Sequence, residues 1–124
     1  MTAFRIAAAA FVLALPTPVR ADVVPTVIIA LDSFRFAPRP IALAAGQRVR
    51  LVFVNRSGSG HDFTAAKFFK SARILDGAAP QGEVELAGHA TAAVELVPAR
   101  GRYKVYCSHF GHKLMGMSTE IIVR

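Results

Sequence analysis

The sequence contains 124 residues, of which 53% are hydrophobic and 19% charged, and its formal net charge is +7 at pH 7. This length supports a single domain with one hydrophobic core. The arginines are scattered along the chain instead of clustered, which argues against a nucleic-acid-binding surface. Cys107 is the only cysteine, so no disulfide can form within the chain.

The N-terminus has the pattern of a secretory signal peptide. Arg5 precedes ten apolar residues, 6–15, and two prolines and the small residue Ala21 follow. A membrane anchor is the alternative, but the apolar run is about half of the roughly 20 residues that a spanning helix needs. We therefore expect residues 1–21 to be a cleaved signal peptide. Residues 22–124 should be a periplasmic domain that is not inserted in the membrane.

The charges of the expected mature chain are unevenly distributed. Residues 22–73 carry eight basic and three acidic side chains, whereas residues 74–124 carry five of each. A solvated basic face that keeps the protein soluble is the simpler interpretation. The alternative is electrostatic steering toward an acidic partner protein.

Beyond residue 21, short apolar stretches alternate with turn residues, which is typical of β-strands. In residues 48–54, Val49, Leu51 and Phe53 recur at every second position and should share one buried face. Several short strands at this spacing predict an all-β sandwich with Greek-key connections. The predicted strands cover residues 23–31, 41–43, 48–54, 83–86, 92–97, 102–107 and 119–124.

One stretch has a helical pattern instead. Ala65, Phe68, Phe69 and Ala72 recur at helical spacing within residues 64–73. We expect a short helical insert in the sandwich at this position.

A cluster of metal-binding residue types lies near the C-terminus. Cys107, His112 and Met117 are spaced as C-x4-H-x4-M between two predicted strands. Cys107 alone would be interpreted as a buried structural thiol. Together, the three donors are soft ligands that select copper, and a trigonal His2Cys site with a weak axial Met is the blue-copper arrangement. The second histidine it needs is best supplied by His61, which follows a glycine-rich loop after a strong predicted strand.

Residues 107–117 (CSHFGHKLMGM) resemble the ligand loop of plastocyanin-like and azurin-like cupredoxins. Residues 55–63 (NRSGSGHDF) resemble the first-ligand loop of that family, and residues 119–123 (TEIIV) resemble its last strand. The resemblance implies a cupredoxin fold with one type 1 copper site that alternates between Cu(I) and Cu(II). The implied ligands are three equatorial donors and one axial thioether, namely His61, Cys107, His112 and Met117.

One residue departs from the family pattern. The family usually has Asn after its first ligand histidine, where this chain has Asp62. The Asn ties the two ligand loops together, but a carboxylate lacks its amide donors. We expect Asp62 to accept hydrogen bonds from the Ser108 hydroxyl or from backbone N–H groups of the second loop. Its negative charge should favour oxidised copper.

Four residues near the motif have simpler interpretations. His109 does not match the spacing of a family ligand and is interpreted as an exposed neighbour of the site. His89 lies in a Gly-His turn and is interpreted as a surface residue. Met115 either packs beside the site or faces solvent. Tyr106 is interpreted as ordinary packing on the outer side of its strand.

Two functions of different classes fit such a site. The first is electron transfer between redox partner proteins, with His112 at the centre of an apolar patch of Phe110, Leu114 and Met115. The alternative for the latter two is packing into the core. The second function is periplasmic copper storage or delivery, favoured by the extra donors His109 and Met115. An enzyme is not expected, because four ligands leave no open position for substrate. We favour electron transfer by a monomer.

Overall fold

The computed structural model describes residues 13–124. The first twelve residues of the predicted signal peptide lie outside this range, and residues 13–25 contain no helix or strand. Within residues 13–124, no helix has the length and apolar character that crossing a membrane requires. The signal peptide at 1–21 and the domain boundary at residue 22 stay predictions.

The described chain consists of short strands and one helix. In chain order, the elements are β1 (Thr26–Asp32), β2 (Arg35–Ala37), β3 (Ile41–Leu43), β4 (Val49–Asn55), β5 (His61–Thr64), α1 (Ala66–Ser71), β6 (Arg73–Asp76), β7 (Glu83–Leu86), β8 (Thr91–Val97), β9 (Gly101–Tyr106) and β10 (Ser118–Val123). A short 3-10 turn at Pro80–Gly82 precedes β7.

The strands form two five-stranded sheets. The strand order is β2-β1-β4-β8-β6 in one sheet and β3-β10-β9-β5-β7 in the other. Most neighbours are antiparallel, but β1 runs parallel to β4 and β3 runs parallel to β10. The chain crosses repeatedly between the sheets, as Greek-key connections require. The predicted all-β sandwich is therefore confirmed.

Alternate residues of the strands fill the space between the sheets. Leu51 and Phe53 of β4 are fully buried, as their alternation predicts. Phe63 of β5 packs on Phe53 and Phe36, with ring centroids 4.8 and 5.7 Å apart. Burying an aromatic side chain of this size contributes about 1.5–3 kcal/mol. These contacts hold β5 against the core, and the first residue of β5 is His61.

The helix α1 is shorter than the predicted stretch 64–73. Thr64 is the last residue of β5 and Arg73 the first of β6, because both pair with neighbouring strands. The apolar spacing is nevertheless retained, since Phe68 and Phe69 are buried in the core. The helix therefore packs two aromatic rings onto the sandwich, as expected of an amphipathic insert.

Three strands are absent from the sequence prediction, namely β2, β5 and β6. The four residues of β6 are all exposed and the four of β5 are all buried, so neither shows alternation. His61 follows the glycine-rich loop, as predicted, and is the first residue of a strand that the sequence prediction lacks. The seven predicted strands are present, with ends that differ by three residues or fewer.

Three connections meet at one end of the sandwich. They are the β4–β5 loop, the β9–β10 loop and the β1–β2 turn, which contains Ser33 and Phe34. Phe34 lies against His112, and Ser33 lies within hydrogen-bond distance of His61. This end of the molecule therefore collects the side chains that the sequence singles out.

Candidate metal centre

The loop before His61 is held in place by the buried side chain of Asn55. Its Nδ2 donates hydrogen bonds to the carbonyl oxygens of Ser59 and Ala87, at 2.7 and 3.0 Å. Its Oδ1 accepts one from the backbone N–H of Ser57 at 3.0 Å. The buried Asn55 side chain thus braces the glycine-containing loop from inside. The loop delivers His61 to the start of β5 in one orientation.

The side chains of His61, Cys107 and His112 converge. The two Nδ1 atoms of the histidines lie 3.2 Å apart. The Sγ of Cys107 lies 3.3 Å from Nδ1 of His112 and 3.9 Å from Nδ1 of His61. The structure therefore brings three of the four predicted donors into one triangle.

A metal ion fits this triangle. The three distances leave a point about 2 Å from every donor atom, close to the ~2.0–2.1 Å that imidazole nitrogen keeps from a zinc ion of similar size. Two imidazole nitrogens and one thiolate in a trigonal arrangement form the donor set of a blue-copper site. The residues present therefore fit copper.

Met117 closes the same loop. Its side chain is fully buried. Its carbonyl oxygen accepts a hydrogen bond from the N–H of Cys107, and its own N–H donates to the carbonyl oxygen of His112, both at 3.1 Å. The fourth predicted donor thus belongs to the same buried end of the sandwich as the triangle.

The surroundings affect the protonation of the two buried donors. Burial lowers the pKa of His61, and the nearby His112 lowers it further, so the His61 ring is neutral and can offer a lone pair. Burial raises the pKa of Cys107, while hydrogen bonds from the backbone N–H groups of Asp62 and His109 act in the opposite direction. The thiol proton must therefore leave when a metal binds.

The β1–β2 turn supports both histidines. Nδ1 of His61 faces the triangle, and its Nε2 lies 3.3 Å from Oγ of Ser33, so a metal bound at Nδ1 would leave the hydrogen on Nε2 to be donated to that oxygen. The ring of Phe34 meets that of His112 edge-on, with centroids 4.9 Å apart. A hydrogen-bonded second nitrogen is the usual way to fix the orientation of a ligating histidine. Sequence reasoning missed both residues, because this turn carries no recognisable motif.

Asp62 joins the two loops, as expected. One carboxylate oxygen accepts hydrogen bonds from the N–H of Ser108 at 2.9 Å and from the Thr64 hydroxyl at 2.7 Å. The other accepts from the Ser108 hydroxyl. The backbone N–H of Asp62 points at Sγ of Cys107 at 3.5 Å. One residue thus contacts the first loop, the second loop and the thiol.

The structure gives different outcomes for the four other residues that the sequence analysis considered near the motif. His89 is exposed, as interpreted. His109 is not simply an exposed neighbour, because it is partly buried and its ring stacks on that of His112. Met115 faces solvent. Tyr106 is partly buried and lies beneath Nζ of Lys113, which is 5.0 Å from the ring centroid.

The β9–β10 loop presents an apolar surface around the partly exposed His112. Phe110, Leu114 and Met115 expose 103%, 93% and 62% of their surface. Successive turns satisfy the loop backbone, as where Met115 N–H donates to the Gly111 carbonyl oxygen at 3.1 Å. These side chains therefore project outward, and the alternative that they pack into the core is wrong.

We predict that Asp62→Ala weakens copper binding by about 10- to 100-fold, the usual cost of removing a partner that orients metal ligands. The variant leaves the N–H and hydroxyl of Ser108 without their acceptor. The measurement is a competition titration of Cu(II) and Cu(I) against a chelator of known affinity.

Asp62→Asn is the matched control, because its carbonyl oxygen can still accept the Ser108 N–H bond. We expect it to retain most of the affinity and to raise the reduction potential, since a negative charge beside the metal is lost. An Asp62→Ala protein with unchanged affinity and potential would contradict the role of this carboxylate.

Comparison with known proteins gives one matching family for this chain. The family profile described as "Copper binding proteins, plastocyanin/azurin family" matches residues 25–124. A search of curated protein sequences gave no match.

Three auracyanins are similar in structure. Auracyanin B is 22% identical, with a TM-score of 0.57 over 86% of this chain and 93% of that chain. The dithionite-reduced auracyanin of Roseiflexus castenholzii is 18% identical, with a TM-score of 0.60 over 80% and 96%. Auracyanin A of Chloroflexus aurantiacus, described as a "blue" copper protein, is 19% identical, with a TM-score of 0.58 over 80% and 98%.

At these identities the auracyanins establish the fold alone, whereas the profile covers the whole chain beyond its first 24 residues. The profile shows that copper is the metal of this protein, and the donor triangle is the candidate site for it. The chain belongs to the plastocyanin/azurin family of copper-binding proteins.

Proposed function

We propose that this protein is an exported carrier of single electrons, and that His61, Cys107, His112 and Met117 are the ligands of its copper ion. When bound, copper supplies the one-electron couple between Cu(I) and Cu(II). The observation that supports this proposal most directly is the exposed apolar surface around His112. An electron carrier needs one ligand near the surface and the others sealed from water.

The proposed ligands differ in exposure in the way that this function requires. His61, Cys107 and Met117 are buried, whereas His112 is partly exposed. Because Nδ1 of His112 faces the triangle, the opposite edge of its ring points away from the site. This ring is therefore the shortest connection between the metal and a partner that docks on Phe110, Leu114 and Met115.

An apolar docking surface also suits the expected interaction. Exposed apolar patches on small soluble proteins commonly mark interaction sites. Redox partners usually meet through small, weak interfaces, which allows rapid dissociation after each transfer. Apolar side chains around the ring exclude water from the path without fixing the partner tightly.

Copper delivery is the second candidate function. The observation in its favour is the thioether of Met115, which is exposed on the loop that carries three of the proposed ligands. A thioether at this place offers Cu(I) an intermediate ligand on its way to an acceptor. Fast copper loss to a chelator, combined with negligible electron self-exchange, would favour delivery over electron transfer.

Replacement of the proposed ligands should separate their roles. Cys107→Ser should abolish the intense visible band of the copper protein, because a hydroxyl is neither soft nor readily ionised. Met117→Leu should keep the band and raise the reduction potential, because the axial bond is weak and the volume is conserved. Visible absorption and cyclic voltammetry of copper-loaded protein measure both. A blue Cys107→Ser protein would refute the ligand assignment.

We predict that Leu114→Glu slows electron self-exchange at least about 5-fold, since an apolar contact at an interface centre is worth about 1 kcal/mol or more. The copper spectrum should not change, because Leu114 is exposed and does not belong to the donor triangle. NMR line broadening in mixtures of oxidised and reduced protein gives the rate.

Leu75→Glu is the matched control, because Leu75 is an exposed leucine on the edge strand β6. It should leave self-exchange unaltered. Equal slowing by both variants would show a general charge effect and contradict docking at His112.

We further propose that the natural partner is acidic, since the expected mature chain keeps an excess of basic residues. The rate of electron exchange with an acidic c-type cytochrome should then fall as ionic strength rises, because salt screens exposed charges. A rate independent of salt would contradict this.

We propose that the protein acts in the periplasm after removal of residues 1–21. The apolar run that supports this is too short to span a membrane as a helix. The full-length sequence, expressed in a Gram-negative host, should give periplasmic protein that begins at Asp22 in N-terminal sequencing. Recovery of a cytoplasmic protein that retains the first 21 residues would contradict this proposal.

A further inference from the structure

His112 is the least supported of the proposed ligands. His61 is fully buried, and its second nitrogen is bonded to Ser33. His112 is partly exposed and lies in a loop built of turns. Within residues 13–124 its Nε2 has no hydrogen-bond partner. On the side away from the donor triangle, its orientation therefore depends on the rings that contact it.

One of those rings belongs to His109. The imidazoles of His109 and His112 are nearly parallel, at 22°, with centroids 5.4 Å apart. This is an offset stack of the kind that favours a fixed relative orientation. The edge-on ring of Phe34 and the tilted ring of His61, with centroids 4.9 and 4.8 Å from that of His112, belong to other parts of the chain. His109 lies on the same loop as His112. It can therefore orient the His112 ring only if another part of the fold holds its own ring in place.

Glu85 holds it. The Nε2 of His109 lies 2.9 Å from one carboxylate oxygen of Glu85 and 3.1 Å from the other. Glu85 belongs to β7, where it pairs in register with Asp62 of β5. The bond therefore connects the ligand loop to a strand of the sheet.

Gly60 leaves the space that this arrangement needs. A Cβ at that position would lie 3.2 Å from Cε1 of His109, tighter than an ordinary contact. Any larger residue would press on the His109 ring. Gly60 therefore leaves room in the β4–β5 loop for the His109 side chain of the β9–β10 loop.

We infer that Glu85 and His109 are positioning residues, which hold the ring of His112 in its ligating orientation through a bond to β7 and a ring stack. The inference rests on the proposed role of His112 as the exposed copper ligand. An electron carrier benefits from such support, because a ring that keeps its place in both oxidation states leaves little to rearrange during transfer.

The first test uses metal-free protein. In His109→Ala and in Glu85→Ala, 13C relaxation dispersion at Cε1 of His112 should report ring motion on the microsecond-to-millisecond scale that the parent protein lacks. Glu85→Gln should behave like the parent, because its amide oxygen still accepts the bond from His109. His89→Asn is the matched control, since it alters an exposed histidine in another turn.

The second test uses copper. His109→Ala and Glu85→Ala should lower the Cu(I) affinity and the electron self-exchange rate about 2- to 12-fold, the range expected from losing one aromatic pair. The blue absorption and the thermal unfolding midpoint should stay close to those of the parent protein. If the two residues only stabilised the fold, the unfolding midpoint would fall instead. Glu85→Gln should restore the parent values.

Unchanged His112 dynamics and Cu(I) affinity in His109→Ala would overturn the inference. An effect of His109→Ala without any effect of Glu85→Ala would overturn the part assigned to Glu85. Failure of the proposed function has a different signature: negligible self-exchange in the parent protein, with the changes in metal-free ring motion still present.

Discussion

The carboxylate of Asp62 connects the two loops on which the copper centre depends. Strands β5 and β9 pair at Thr64 and Tyr106, and the backbone ladder between them does not extend to the ligand loops. Beyond that point, the two strands are joined by the hydrogen bonds from Ser108 to Asp62. Each of these two residues directly follows a proposed ligand. The distance between His61 and Cys107 is therefore set by this side-chain bridge, which lies just beyond the last paired residues of β5 and β9.

A buried carboxylate is costly unless donors surround it. Asp62 is fully buried, but two hydroxyl groups and one backbone N–H satisfy its oxygens, and two of these three donors come from Ser108. Phe63, the next residue, anchors the same strand in the apolar core against Phe53. Neighbouring positions of β5 thus serve opposite purposes. Asp62 ties the two loops together, and Phe63 fixes the position of β5 on the core. A change at either residue therefore moves the donor triangle.

The parts of this architecture that could be predicted are those encoded within one segment of the chain. The C-x4-H-x4-M spacing and the alternation in β4 lie within a few residues, and both indicate the correct structure. In β5 the polar His61 and Asp62 are buried beside apolar residues, so no alternation marks the strand. The contact of Glu85 with His109 joins residues 24 positions apart. Such contacts depend on the register between strands, which local patterns do not contain.

Contacts within the protein hold the donor atoms close together. The Nδ1 atoms of the two histidines and the sulfur of Cys107 lie within 3.9 Å of one another, held by Ser33, Asp62 and the core. Burial lowers the pKa of His61 and so favours its neutral form, whereas burial raises the pKa of Cys107, whose proton must leave when a metal binds. Donor residues that are held by contacts within the protein move little when the charge of a bound ion changes. A delivery protein benefits from the opposite property, ligands that move apart on release. The fixed frame therefore supports electron transfer more strongly than it supports copper delivery.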